Sequence, residues 1–199
     1  MRIGKDILVK EYLVNKLSAR QIADKWNCSS NRINYWMERH KIKKRNIADA
    51  VYNLKNPNGD PFEVRVLKTK AEFLLFGLGL GLYWGEGNKR NKNSVRVTNT
   101  DPGVIKIFVL FLKKIYKVKE DKIKYGLQLF DDSNPKKSLL FWQQVLNVDE
   151  SKFYKVVISK VRGSGTYKNK SENGVITVYF NNSKLRNILV AEIEKLRKM

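Results

Sequence analysis

Hydrophobic and polar positions divide the chain into a short all-helical segment and a longer segment in which helices and strands alternate. In the first segment, apolar residues recur at helical spacing over residues 6–16, 19–26 and 30–40. Ser18 is a suitable N-cap for the second of these helices, and Asn27 tolerates the left-handed turn that would follow it. The spacing predicts three short helices within residues 1–46.

The three predicted helices resemble a helix-turn-helix. Ala23, Asn27 and Ile33 supply the small residue, the turn residue and the branched apolar residue that the packing of this motif requires. Trp26 and Trp36 would fill its small core. The third helix then exposes side chains suited to base edges and phosphates in a major groove: Ser30, Asn31, Arg32, Asn34, Tyr35 and Arg39. A three-helix protein-interaction module is the alternative, and the basic run that follows favours DNA.

Residues 47–68 read as a linker between two domains. A short helix over 47–54 and a brief strand over 62–67 flank the segment Asn56–Pro61. That segment is dense in asparagine, proline and glycine, which are typical of turns. We therefore expect the domain boundary in this stretch.

From Thr69 onward the pattern predicts the order helix, strand, helix, strand, helix, strand, strand, helix. A capping box from Thr69 to Glu72 begins the first helix near Lys70. The alternating strands carry one apolar and one polar-basic face. We expect an α+β protein: an N-terminal helix-turn-helix over residues 1–46, the linker over 47–68, and a largely antiparallel sheet covered by helices over 69–199. The uncovered face of the sheet would be a basic, concave surface for a duplex.

The first helix of this second segment contains an unusual number of glycines. Glycine inside a helix costs roughly 1 kcal/mol relative to alanine, so Gly77, Gly79, Gly81 and Gly85 need a structural reason. Small residues let two helix backbones approach closely, which indicates a tight helix–helix seam, with Gly77, Gly81 and Gly85 as its candidate dimer contacts. If the partner helix belongs to a second subunit, two Glu86 carboxylates meet at a two-fold axis, where paired acids can hold Mg²⁺. The candidate metal-binding positions are Glu86 and Gly85; a solvated glutamate ending a buried amphipathic helix is the alternative.

The net charge of the chain indicates what kind of partner it binds. The chain of 199 residues has 40 Lys+Arg against 19 Asp+Glu, for a net charge of +21. Residues 1–68 carry a net charge of +8 and residues 69–199 carry +13, so the charge is not confined to a tail. Nucleic acid is the first candidate partner and an anionic membrane the second. Further DNA contacts are expected in the loop and strand after the glycine-rich helix, at Lys89, Arg90, Lys92, Arg96 and Thr98.

Several function classes are disfavoured by what the chain lacks. Cys28 and His40 are its only cysteine and histidine, which excludes a disulfide framework and makes a zinc site or a serine triad improbable. The N-terminus has no signal-peptide core, and the apolar run over 73–84 is too short to span a bilayer. We expect a soluble cytoplasmic protein with no membrane partner and no small-molecule cofactor.

Residues 79–87, Gly-Leu-Gly-Leu-Tyr-Trp-Gly-Glu-Gly, resemble the nine-residue motif of LAGLIDADG-type homing endonucleases. Gly81 matches the first glycine of the motif, Glu86 its last acid, which is usually aspartate, and Gly87 its closing glycine. The segment Val95–Asp101, followed by an apolar helix, is similar to the next strand and helix of that family. The resemblance covers residues 69–199.

The resemblance implies a homodimer that binds double-stranded DNA, with the two glycine-rich helices packed across the two-fold axis. Each Glu86 would bind a divalent cation such as Mg²⁺ and serve catalysis. A lysine near the end of the sheet would assist, with Lys168 and Lys170, and also Lys160, as candidates. The first hypothesis is therefore a metal-dependent DNA endonuclease. A transcription regulator that keeps the scaffold without cleaving is the second, and an RNA-binding module, for which no aromatic RNA-binding signature appears, is the third.

Overall fold

A computed structural model describes residues 3–160 and 172–198 and divides the chain into two compact units, Met1–Asp60 and Pro61–Met199. The boundary falls inside the stretch expected to be a linker. The mixed helix and sheet content confirms the α+β class.

The first unit is all-helical. It contains α1 (Lys5–Leu8), which continues as π-helical turns over Val9–Val14, then α2 (Ala19–Lys25), α3 (Ser30–Arg39) and α4 (Ile47–Lys55). Ser18 caps α2 in a capping box with Gln21, and Ser29 caps α3. Asn27 has a φ of 47°, the left-handed turn expected between these helices.

The core of the first unit is formed by other residues than the predicted Trp26 and Trp36. Leu8, Ile22, Ile33 and Met37 are fully buried at its centre. Trp26 and Trp36 pack against that core from its margin and remain partly exposed, because the smaller aliphatic side chains already fill the space between the helices.

The second unit follows the predicted order of elements. These are α5 (Lys70–Glu86), β1 (Val95–Asn99), α6 (Pro102–Lys114), β2 (Ile123–Phe130), α7 (Pro135–Leu146), β3 (Val157–Ser159), β4 (Val175–Phe180) and α8 (Ser183–Leu196). The strands form one sheet in the order β1-β4-β2-β3. β4 is antiparallel to both β1 and β2, whereas β3 runs parallel to β2.

One face of the sheet is buried and the other is open. Val97, Val178 and Tyr125 pair across β1, β4 and β2 and form a continuous buried row. The helices α5, α6 and α8 contact β1. Because successive side chains of a strand alternate in direction, the residues between these buried positions point to the opposite, open face.

Two predicted strands need correction. Residues 62–67 do not form a strand, because their backbone bonds to the turn after α6: the Glu63 amide donates to the Tyr116 carbonyl at 2.8 Å. The strand expected over 153–161 shortens to β3, since Phe153 makes only an isolated bridge to Tyr125. Residue 161, its predicted end, lies outside the described residues.

The close approach of α5 to α6 depends on Gly79. This residue is buried, and a methyl group added there would overlap the Phe111 ring of α6. The Phe111 ring is itself fixed by an edge-to-face contact with Tyr116, with ring centroids 5.3 Å apart. Gly79 therefore serves packing within the chain.

We expect Gly79→Ala to lower the free energy of unfolding of the second unit by about 1–3 kcal/mol, because the added methyl must push α5 away from a rigid ring. Urea unfolding at dilute protein concentration measures the change. Gly81→Ala is the matched control: a methyl group there meets nothing within 4 Å among the described residues, so its higher helix propensity should leave stability unchanged or raise it by up to about 1 kcal/mol. Equal destabilisation by both variants would contradict this role for Gly79.

Candidate nucleic-acid interface

The outward face of α3 carries the side chains expected to contact DNA. Asn31, Arg32, Tyr35 and Arg39 are exposed, and Ser30 and Asn34 are half-buried. The opposite side of the helix is anchored by Ile33 and Met37 in the core. An Nη of Arg39 donates to the Tyr35 hydroxyl at 3.1 Å, so these two side chains form one polar surface.

The basic residues after α3, within residues 41–45, have two different roles. Lys41, Lys43 and Lys44 are exposed. The Arg45 guanidinium lies 4.2 Å from the Tyr12 ring centroid and donates to the Lys16 carbonyl at 2.8 Å and to the neighbouring Leu17 carbonyl. Arg45 therefore stabilises the first unit, a role that the charge pattern alone did not reveal.

Glu86 lies where α5 meets the sheet. It is the last residue of α5, and Gly87 immediately after it forms a bridge to Val97 of β1. The next amide, that of Asn88, donates to the Arg96 carbonyl at 3.0 Å. The end of the helix is thus fixed to the edge strand, and Glu86 is held beside that edge with its side chain exposed.

Gly87 permits this junction. A Cβ at this position would collide with the Tyr83 carbonyl and ring, so the chain can leave the helix here only through glycine. Tyr83 is fully buried, and its hydroxyl has no hydrogen-bond partner among the described residues. Burial raises the pKa of Tyr83, and the nearby Arg186 guanidinium opposes the rise.

Hydrogen bonds connect the loop over residues 88–93 to α5 and to α8. The Lys89 ammonium donates to the Trp84 carbonyl of α5 at 2.5 Å, and Arg186 of α8 donates to the Lys89 carbonyl. Lys89, predicted as a DNA contact, is therefore half-buried and engaged with the end of α5. Arg90 and Lys92 in the same loop are exposed and make no ion pair within the described chain.

The open face of the sheet carries hydroxyl, amide, aromatic and basic groups. Arg96 and Thr98, both expected to contact DNA, lie on it, and the Thr98 hydroxyl is 2.9 Å from that of Thr177 on β4. The same face adds residues that the sequence analysis did not single out: Lys124, Gln128, Thr177 and Tyr179. The sequence could have identified these four residues, because they alternate with buried apolar positions along β2 and β4.

The glycines proposed as a seam do face away from the rest of the chain. A Cβ at Gly77, Gly81 or Gly85 would meet nothing within 4 Å among the described residues. Large apolar side chains flank them, with Phe73 58% and Leu74 66% exposed. Gly77 and Gly81, together with these side chains, line a shallow apolar groove of about 500 Å³ along α5.

Metal ligands are sparse within a single chain. Over residues 3–160 and 172–198, no three His, Cys, Asp or Glu side chains lie together as a metal site. The Glu86 carboxylate forms no hydrogen bond or ion pair with another described residue. Of the candidate assisting lysines, Lys160 is exposed, and Lys168 and Lys170 lie outside the described residues.

Comparisons with known proteins find no matching family model, no matching curated protein and no matching solved structure. Within the described chain, no helix is both long enough and apolar enough to cross a membrane.

We expect Arg45→Met to lower the free energy of unfolding of the first unit by about 1–2 kcal/mol, because two charged hydrogen bonds and a cation–π contact are lost. Hydrogen exchange of the α2 and α3 amides in the full chain measures the loss. Lys44→Met, which removes the same charge from an exposed side chain, should leave this exchange unchanged. A slowing or no change in Arg45→Met would contradict a structural role for Arg45.

Proposed function

We propose that this chain is a sequence-specific DNA-binding protein that hydrolyses phosphodiester bonds as a homodimer with a divalent cation, in the manner of LAGLIDADG-type homing endonucleases. The observation that carries the proposal is the position of Glu86. An exposed carboxylate with no partner among the described residues ends a helix at the edge of an open, polar-basic sheet face.

Charge supports duplex DNA as the substrate. The net charge of +21 is spread over both units, and each unit presents cations on a surface that also offers neutral hydrogen-bonding groups. In the sheet, β1 and β2 lie on either side of β4, so they are about 10 Å apart. This distance is comparable to the roughly 12 Å width of a major groove. The α3 face and the open sheet face are thus two candidate DNA-contacting surfaces on one chain. Because the proposed substrate is DNA, we also propose an intracellular location, of which the expected cytoplasmic one is a case.

The open face of α5 supports a homodimer. Gly77, Gly81 and Gly85 recur every four residues, so they lie along one side of the helix. Bare backbone on this side lets a second helix approach closely, and exposed Phe73 and Leu74 would be covered by it. If the two-fold axis runs parallel to α5, the two helices pack side by side in the same direction and their Glu86 carboxylates come together at one end.

The residues at the end of α5 fit a hard divalent cation. Two Glu86 carboxylates from two copies, with the Gly85 carbonyl oxygens beside them, would form the all-oxygen ligand set that Mg²⁺ prefers. Such an ion, when bound, supplies an activated water and stabilises the leaving oxygen of a phosphodiester. The chain itself positions the carboxylate: the bridge from Gly87 to β1 fixes Glu86 against the sheet edge.

A non-cleaving transcription regulator on the same scaffold is the second candidate. The observation that favours it is α3, a well-capped helix with an exposed polar face in a unit that has its own core. Such a unit can read DNA without any contribution from Glu86. Both candidates bind duplex DNA, and only the first requires the carboxylate.

The test begins with selection of a randomised duplex library by the purified full chain in chelator, followed by addition of Mg²⁺ to the captured DNA. We expect a defined subset of sequences to be retained, with affinity falling by about 10³-fold between 50 and 200 mM salt, and that subset to be cut on adding metal. Glu86→Gln should retain the same DNA but lower cleavage by on the order of 100-fold or more, since it removes several kcal/mol of charge stabilisation.

Glu63→Gln is the matched control, because Glu63 is exposed and, among the described residues, only its backbone forms a hydrogen bond; this variant should cut normally. Metal-dependent cleavage that survives Glu86→Gln contradicts the role of this carboxylate. Specific binding without cleavage by the unaltered chain identifies the regulator, and failure to select any DNA overturns both candidates.

A further inference from the structure

Arg96 on the open sheet face is held in one orientation by a buried serine. Its Nε donates to the Ser94 hydroxyl at 2.6 Å, and Ser94 is only 1% exposed. The Ser94 hydroxyl in turn donates to the Asn91 side-chain carbonyl at 3.1 Å. The direction of the guanidinium is therefore set by groups that cannot rotate freely.

The guanidinium of Arg96 lies over an aromatic ring. The Arg96 Cζ lies 5.0 Å from the centroid of the Tyr179 ring on β4. Tyr154 packs edge-to-face on that ring, with centroids 5.4 Å apart. Gly126 lies beneath the ring, where a Cβ would approach Tyr179 Cε2 to 2.9 Å. Tyr179 is thus confined on two sides, so the stacked arginine loses little entropy when it binds a ligand.

The two terminal nitrogens of Arg96 are left free. Within the described chain neither makes a hydrogen bond, and no carboxylate pairs with them. By contrast, Arg65 and Arg197 each use a terminal nitrogen in an ion pair, with Glu72 and Glu194 respectively. A fixed fork of two N–H groups is complementary to two adjacent acceptor atoms.

The surroundings favour a base edge over a phosphate as that acceptor pair. On the same face, Thr98 and Thr177 form a hydroxyl pair, and Gln128 bonds to Ser159 at 3.2 Å. These are neutral groups that read donors and acceptors in a major groove. Lys124 on this face donates to the Ser151 carbonyl at 3.0 Å, whereas the exposed cations Arg90 and Lys92, which suit phosphates, lie in the loop over residues 88–93.

We propose that Arg96, positioned by Ser94 and Tyr179, is a specificity-determining residue that binds the O6 and N7 acceptors of one guanine in the duplex target. This inference rests on the proposed binding of duplex DNA. It adds the identity of a base and the side chain that reads it, and it is independent of whether the DNA is cleaved.

The test is selection from a randomised duplex library in chelator by the full chain and by its Arg96→Ala variant. The recovered sites of the unaltered chain should share a guanine that becomes degenerate in Arg96→Ala. Replacing that guanine by 7-deazaguanine, which lacks the N7 acceptor, should weaken binding of the unaltered chain by on the order of 10-fold and leave Arg96→Ala unaffected. Arg96→Lys, which keeps the charge but not the two parallel N–H donors, should lose the preference for guanine. Ser94→Ala should reduce the preference for guanine while retaining most of the affinity for DNA.

Arg90→Ala is the matched control, because it removes an exposed guanidinium from the neighbouring loop. It should weaken binding to all sequences alike and lower the salt dependence, with every base preference kept. Arg96→Ala behaving in this same way would overturn the proposal and leave duplex binding intact. Selection of no DNA by the unaltered chain would overturn the proposed function and this inference together. Urea unfolding is measured for each variant, and an unchanged unfolding curve shows that a change in binding does not come from misfolding.

Discussion

The contact between Gly79 of α5 and the Phe111 ring of α6 determines what the second unit can present to a partner. Because the α5 backbone at Gly79 packs directly on this ring, the rotation of α5 about its axis is fixed. The glycines of the opposite side, centred on Gly81, are consequently left bare and facing outward. The same rotation carries Glu86 to the edge of the sheet, where Gly87 joins β1. One internal contact thus orients both the candidate dimer surface and the candidate metal ligand.

Hydrogen bonding separates the cations of this basic chain into fixed and free groups. Arg45, Lys89 and Arg186 donate to backbone carbonyls and tie loops to helices. Arg96 is fixed at one nitrogen and free at two, which gives it direction without consuming its capacity to bind. The exposed side chains of Lys43, Lys44, Arg90 and Lys92 form no hydrogen bond or ion pair with another described residue. A surface with both kinds of cation can gain affinity from phosphates and discrimination from bases, because the two tasks need different degrees of rigidity.

Local patterns in the sequence were sufficient for the order of elements from α5 onward, because each helix or strand buries one face and capping residues such as Thr69 mark helix starts. They could not predict that β3 runs parallel to β2, since a non-local pairing leaves no local signal. They also could not separate Lys89 from its exposed neighbours, or Gly79 from Gly81. The roles of such residues depend on which atoms the tertiary fold brings next to them.

Disulfide crosslinking of Gly85→Cys in a Cys28→Ser background can show whether two copies meet along the exposed glycine side of α5 with their Glu86 residues adjacent; Lys106→Cys on α6 is the control. We expect a linked dimer under mild oxidation, formed on duplex DNA, for Gly85→Cys alone. A chain that binds DNA yet stays unlinked at Gly85, or links equally well through Lys106→Cys, would contradict it.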